Sequence, residues 1–80
     1  MAEVNPQECL ETLESLTHQK GPVNQVLMHV LFSRVSDHAI ELLRAARHDP
    51  FHPSVKQELR KMGERMLARA QDAKQELLSR

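Results

Sequence analysis

The chain has 80 residues, of which 40% are hydrophobic and 2% aromatic, and its 11 Lys and Arg side chains balance its 11 Asp and Glu side chains. This length predicts one domain near the lower limit for a core without disulfides or metal ions, and a composition rich in Leu, Ala, Glu, Gln, Lys and Arg favours an all-α fold. The balanced charge argues against electrostatic binding to nucleic acid or anionic membranes, and the single cysteine excludes an internal disulfide.

The first predicted helix covers residues 6–20. Asn5 is expected to cap it through its side-chain oxygen, and Val4 and Cys9 are spaced for a hydrophobic staple. Its apolar stripe is Cys9, Leu10, Leu13 and Leu16. Gly21 is expected to end the helix in the left-handed conformation that glycine adopts without steric cost.

The second predicted helix, residues 22–48, has no Gly or Pro after its first residue. Its apolar residues fall into a core stripe, Met28, Phe32, Val35, Ala39, Leu42 and Ala46, and an off-stripe set, Val23, Val26 and Val30. The first half is therefore apolar nearly all round and needs more cover. We expect the first helix to fold back over it, with burial by a second copy as the alternative. A break of this helix at residues 33–37 stays open, because Ser36 could cap a new helix.

A linker with Pro50 and Pro53 follows, because two prolines within four positions cannot continue a helix. Ser54, with Gln57 three residues on, predicts a capping box that begins the third helix, residues 54–79. Its apolar stripe is Val55, Leu59, Met62, Met66, Ala70, Ala73 and Leu77. The sequence thus predicts an antiparallel three-helix bundle in a single domain spanning all 80 residues, with a short first helix and two long ones.

The short first helix is expected to cover only one end of the hairpin formed by helices 2 and 3. At the other end we predict a groove between these two helices that docks an amphipathic helix of a partner protein. Gly63 would leave a notch in this groove, beside the large apolar Leu67, which the stripe does not need. The candidate partner-binding residues are Ile40, Leu43, Arg47, Lys56, Arg60, Gly63, Leu67, Gln71 and Lys74. The alternative is that Phe51 and the linker fill the space.

The sequence shows no credible arrangement of side chains for catalysis or for holding a metal ion. His48 and His52 flank Asp49 in the linker, but the prolines forbid a helix there and structural zinc sites usually have four ligands. Cys9 lies on the apolar stripe of the first helix, and no Ser, His and Asp share a credible pocket. We therefore expect a non-catalytic domain with no metal and no cofactor.

Helix 3 also carries a basic band, which could contact phosphate or an acidic peptide. The band consists of Arg60, Lys61, Arg65 and Arg69, and Glu58, Glu64 and Asp72 lie among them. We expect this face to be a solvated row of ion pairs, with no nucleic acid partner. No apolar run approaches the ~20 residues that cross a bilayer, so we expect no direct membrane insertion.

Residues 66–74, Met-Leu-Ala-Arg-Ala-Gln-Asp-Ala-Lys, resemble the third-helix pattern of the MIT (microtubule-interacting and trafficking) domain, and residues 37–45 are similar to the end of its second helix. The matching residues are Leu67, Arg69, Ala70 and Lys74. Gln71 stands where Glu is usual, Ala73 where Leu is usual and Met66 where Tyr is frequent. The family's Asp-Gly-Tyr type corner between helices 1 and 2 is missing.

This resemblance implies a three-helix adaptor that binds short C-terminal helical motifs of ESCRT-III subunits, often between helices 2 and 3, with Leu67 as the central apolar contact. It implies a cytoplasmic protein of endosomal trafficking and protein transport that a partner recruits to endosomal membranes. The alternative, which comes from the residues alone, is a structural homo-oligomerisation module that uses the Val23, Val26 and Val30 face.

Overall fold

The computed structural model describes residues 5–80, which form three α-helices and no strand. α1 spans Pro6–Leu16, α2 spans Gln25–Ala45 and α3 spans Pro53–Leu78. The predicted all-α arrangement of a short first helix and two longer ones is confirmed, with lengths of 11, 21 and 26 residues. No helix within residues 5–80 combines the length and the apolar character needed to cross a membrane.

α1 begins as predicted and ends earlier than predicted. The Asn5 side chain accepts a hydrogen bond from the Gln7 backbone N–H at 2.8 Å, which confirms it as the cap, whereas Val4 of the predicted staple lies outside the described residues. The helix ends at Leu16 and not at residue 20: the backbone N–H groups of residues 17–19 bond to carbonyls three residues back, and the Thr17 hydroxyl also donates to the Glu14 carbonyl at 2.6 Å. The expected left-handed glycine is present with φ of 99°, but it lies in the loop after α1.

α2 is a single uninterrupted helix, so the possible break at residues 33–37 does not occur. It starts at Gln25, three residues later than predicted, because the Asn24 side chain accepts the Leu27 backbone N–H at 3.1 Å and caps it. It gives way at Ala45 to a turn in which the Arg47 and His48 backbone N–H groups bond to carbonyls three residues back.

α3 begins with a different cap from the one predicted. The Nδ1 atom of His52 accepts the Ser54 backbone N–H at 3.1 Å and lies 2.8 Å from the Ser54 hydroxyl. His52 is therefore the cap, and the expected capping box starting at Ser54 is wrong. Pro53 takes the first helical position, where its missing N–H has no intrahelical partner to lose.

The core lies where all three helices meet, at what we name the closed end: α1, the first half of α2 and the second half of α3. The buried apolar side chains of the core cluster are Cys9, Leu10, Leu13, Met28, Leu31, Val35, Ala70, Ala73 and Leu77. The second half of α2 and the first half of α3, which we name the open end, contribute only Ala39 and Gly63 as buried residues. The predicted stripe of α3 is therefore core only in its second half.

Candidate functional site

One face of α3 is placed against α2 along most of its length. The residues on this face are Lys56, Arg60, Gly63, Leu67, Gln71, Lys74 and Leu78, which follow one another at steps of four and three. On the neighbouring α2, Leu43 lies against Gly63 and Phe32 lies against Lys74. Ile40 of α2, and Arg47 just after its end, fall on the same side by their spacing from Leu43. We name these two sets together the α2–α3 face. We include in it the nine residues predicted from the sequence as the partner-binding site, and their role in binding stays a prediction.

Gly63 is the point at which α2 and α3 approach most closely on this face. A Cβ atom built on Gly63 would lie 2.9 Å from Leu43 Cγ and 3.0 Å from the Ala39 carbonyl oxygen. The notch expected at Gly63 is thus real, but Leu43 of the same chain fills it. Gly63 therefore allows α2 and α3 to pack closely. The prediction that it leaves space for a ligand is wrong.

The apolar surface that remains on the face is a shallow strip. Ile40 is 42% exposed, and Leu43 and Leu67 are both half-buried. Phe51, the linker residue that could have filled this space, is itself exposed. The strip therefore offers apolar contact to another molecule without an enclosed pocket.

Basic side chains flank the strip at both of its ends. Toward the linker, Lys56 and Arg60 line a cleft of about 260 Å³, and the Lys56 ammonium lies 3.7 Å from an Asp49 carboxylate oxygen. Toward the C-terminus, Gln71 and Lys74 line a second cleft of about 330 Å³. The structure thus separates the predicted residues into two clefts with the apolar strip between them.

Two residues of the second cleft were not predicted as site residues. The Lys74 ammonium lies 4.2 Å from the centroid of the Phe32 ring, so a cation–π contact joins the two helices here. Leu78 lies one helical turn beyond Lys74 and lines the same cleft. Leu78 could have been found, because it continues the spacing of Leu67 and Lys74, whereas Phe32 was assigned to the core stripe.

A separate cleft, of about 390 Å³, lies between α1 and α3 and is rich in acidic residues. It is lined by Glu14, Thr17, His18, Arg69, Asp72, Ala73 and Glu76. Arg69 donates to both Glu14 carboxylate oxygens, at 3.0 and 2.5 Å. This hydrogen bonding raises the pKa of Arg69 although partial burial opposes it. A chain of zero net charge therefore carries acidic groups beside α1 and basic groups on the α2–α3 face.

The basic band predicted on helix 3 is divided by these ion pairs. Arg69 is bound to Glu14, and the Lys61 ammonium lies 4.0 Å from a Glu58 carboxylate oxygen one turn away. Arg60 belongs to the linker-side cleft of the α2–α3 face. The band therefore does not form one continuous cationic surface.

The valine face of α2 is left largely uncovered. Val26 is 73% exposed and Val30 is 44% exposed, and only Val23 packs partly against the core. The expectation that α1 buries all three valines is wrong, because α1 packs on the opposite side of α2, where Leu31 is buried.

Within residues 5–80, no group of three or more His, Cys, Asp or Glu side chains is arranged to hold a metal ion. The Cys9 thiol is free and buried in the core. Comparison of the chain with protein-family models, curated proteins and solved structures gave no match.

Proposed function

We propose that the chain is a non-catalytic protein-interaction domain that docks an amphipathic helix along the α2–α3 face. The observation that carries this proposal is the apolar strip formed by exposed Ile40 and half-buried Leu43 and Leu67, which has basic residues at both ends. A helix presents apolar side chains at steps of three and four residues, and a shallow strip between two helices accommodates such a row.

The charge of the face selects among amphipathic helices. Lys56, Arg60 and Lys74 all lie on the same line of α3, so the docked helix is one that carries acidic residues beside its apolar row. Arginine binds carboxylates with two hydrogen bonds, which makes Arg60 the residue that fixes orientation. Because the strip is open and small, binding is weak and reversible, as at other transient interfaces below about 1,200 Å².

The MIT resemblance of residues 66–74 provides the first ligand to test. It suggests an adaptor that binds the C-terminal tail of an ESCRT-III subunit and is recruited to endosomal membranes through that partner. The four residues that match the MIT pattern divide into two on the binding face and two that hold the bundle together. Leu67 and Lys74 lie on the α2–α3 face, Ala70 is fully buried, and Arg69 holds α1 through Glu14.

The test is a fluorescence titration with a labelled acidic amphipathic peptide based on an ESCRT-III tail, and with a scrambled version of it. Ile40→Asp places a carboxylate in the strip and is expected to weaken binding at least about tenfold, equivalent to about 1.4 kcal/mol. Ala68→Asp is the matched control, because Ala68 is exposed and points about 100° around α3 from Leu67, outside the strip.

Lys74→Glu is expected to weaken binding of the acidic peptide and to make the loss of binding on adding salt shallower, because it removes an attraction that salt screens. Circular dichroism establishes that each variant remains helical. The proposal is contradicted if the Ile40→Asp variant binds the peptide as tightly as the unmutated protein does. It is also contradicted if the unmutated protein binds the scrambled peptide as tightly as the original one.

A second candidate function is a structural homo-oligomerisation module that uses the Val23, Val26 and Val30 face. The high exposure of Val26 favours it, since an isolated large apolar side chain gains from burial in an interface. Val26→Asp separates the two candidates, because it should abolish self-association through this face without changing peptide binding.

A further inference from the structure

A second apolar surface, at the open end, belongs neither to the α2–α3 face nor to the valine face. It consists of Val55, Leu59, Met62 and Met66, which form the first half of the α3 stripe and which we name the open stripe. Val55 is 45% and Met62 is 50% exposed, whereas Leu59 is half-buried and Met66, where the stripe reaches the closed end, packs partly against the core. The same stripe continues into the core as Ala70, Ala73 and Leu77, which are at most 5% exposed.

The open stripe is uncovered because α1 is too short to reach it. Eleven residues of α1 extend about 16 Å, whereas the 26 residues of α3 extend about 39 Å. α1 meets only the second half of α3, where Arg69 donates to Glu14 and Ala73 and Leu77 join the core of Leu10 and Leu13. Among the described residues, no third helix lies beside Val55 and Met62, so another helix can continue the three-helix packing there.

The spacing of the open stripe is the same in both chain directions. Its steps are four, three and four residues, so the stripe is symmetric about the midpoint between Arg60 and Lys61. A second copy of α3 that lies antiparallel about this midpoint sets Val55 beside Met66 of the other copy, and Leu59 beside its Met62. A self-complementary patch of this kind is what a twofold dimer interface requires.

The charges beside the stripe complement one another in the same arrangement. Glu58 and Arg65 are both exposed and flank the stripe on the side away from α2, since Arg65 lies about 200° around the helix from Gly63. In the antiparallel pair, Glu58 of each copy lies at nearly the same level as Arg65 of the other. An in-register parallel pair would instead bring like charges level.

The two charges do not form a pair within one chain. They are seven residues apart, about 10 Å along the helix axis, which exceeds the ~4 Å reach of an ion pair. The existing contact of Glu58 is an exposed one with Lys61 at 4.0 Å, a kind of pair that contributes little. The zero net charge of the chain adds no long-range repulsion between copies.

We propose that the open stripe is a self-association surface on which two copies of this chain pair through antiparallel α3 helices, with reciprocal contacts between Glu58 and Arg65. The pairing completes the helix packing that α1 leaves unfinished at the open end. It leaves the α2–α3 face accessible, because that face lies on another side of α3.

Sedimentation equilibrium over a wide range of protein concentrations tests the pairing. The unmutated chain is expected to show a reversible monomer–dimer equilibrium, and Met62→Asp is expected to remain monomeric. Ala68→Asp, on the opposite side of α3, is the control and should dimerise normally. A chain that stays monomeric up to about 1 mM, near the weak limit of measurable affinity, overturns the proposal. So does a dimer that survives Met62→Asp and dissociates in Val26→Asp.

A charge exchange tests the antiparallel register. Glu58→Arg and Arg65→Glu are each expected to weaken dimerisation about fivefold, because each places like charges together twice in the dimer. The double variant restores both opposite pairs and should regain the original dimerisation constant. Because the two residues do not touch within one chain, this rescue arises only between copies. Double-variant dimerisation that is weaker than that of either single variant overturns the register.

Discussion

The closed end and the open end of the same hairpin are held together in different ways. At the closed end, three helices surround the largest fully buried side chains, Leu10, Leu13, Met28, Val35 and Cys9. At the open end, two helices approach closely at small residues, with Gly63 beside Ala39 and the Leu43 side chain against Gly63. The comparison indicates that the closed end supplies most of the stability, whereas the open end keeps apolar surface available for other molecules.

The difference can be measured by the same truncation at each end. Leu10→Ala removes a side chain with no exposed area and is expected to lower the free energy of unfolding by about 2–5 kcal/mol. Leu59→Ala, in the half-buried position at the open end, is the matched control, expected to cost about 1 kcal/mol. Urea denaturation followed by circular dichroism gives both values. Equal losses would show that the two ends contribute equally.

Gly63→Ala tests the close approach that holds the open end together. The new methyl group would collide with the Leu43 side chain and the Ala39 carbonyl oxygen, and overpacking of this kind costs about 1–3 kcal/mol. Alanine favours the helix over glycine by about 1 kcal/mol, which leaves an expected net loss of about 1 kcal/mol. Thermal unfolding measures the sign, and a gain in stability would mean that α2 and α3 can separate freely at this point.

Helix number, order and relative length were predictable from the sequence because they depend on local signals. Asn5 and the two linker prolines act within a few residues of their own position, and the structure follows them. The end of α1 was less predictable, since the backbone turns from residue 17 onward, four residues before Gly21, the expected stop signal. The exposure of Val26 and Val30 was not predictable either, because it depends on the side of α2 against which α1 packs.

The sequence predicted which side of α3 carries the candidate site, but not how α2 packs against it. Periodicity places Leu67 and Lys74 on one side of α3, but it does not specify which neighbouring helix fills a notch, so the role of Gly63 could not be derived. His52 was missed as a cap because histidine is not among the residues that usually cap helices. Contacts between segments distant in sequence, such as Glu14 with Arg69, carry no periodic signal at all.

The ion pair between Glu14 and Arg69 is expected to make a smaller contribution to the closed end than its core does. Both side chains are about one-third to two-fifths exposed, so solvent screens the pair, and Arg69→Met should cost about 1 kcal/mol. A double-mutant cycle with Glu14→Gln in low and high salt isolates the interaction. A coupling near zero would mean that α1 is held by its apolar side chains alone.

The smallest expected effect belongs to the valine face, which lies on the side of α2 away from the core. Val26→Lys changes a side chain that is 73% exposed, so the free energy of unfolding of the monomer should change by less than about 0.5 kcal/mol. Val35→Lys is the contrasting variant, because Val35 has no exposed area and a buried, unpaired ammonium should prevent folding. Denaturation at several protein concentrations measures both the free energy of unfolding of the monomer and any added stability from association. If Val26→Lys destabilises the protein only at high concentration, then the valine face is buried between copies, and the open stripe is not the sole surface through which this chain associates.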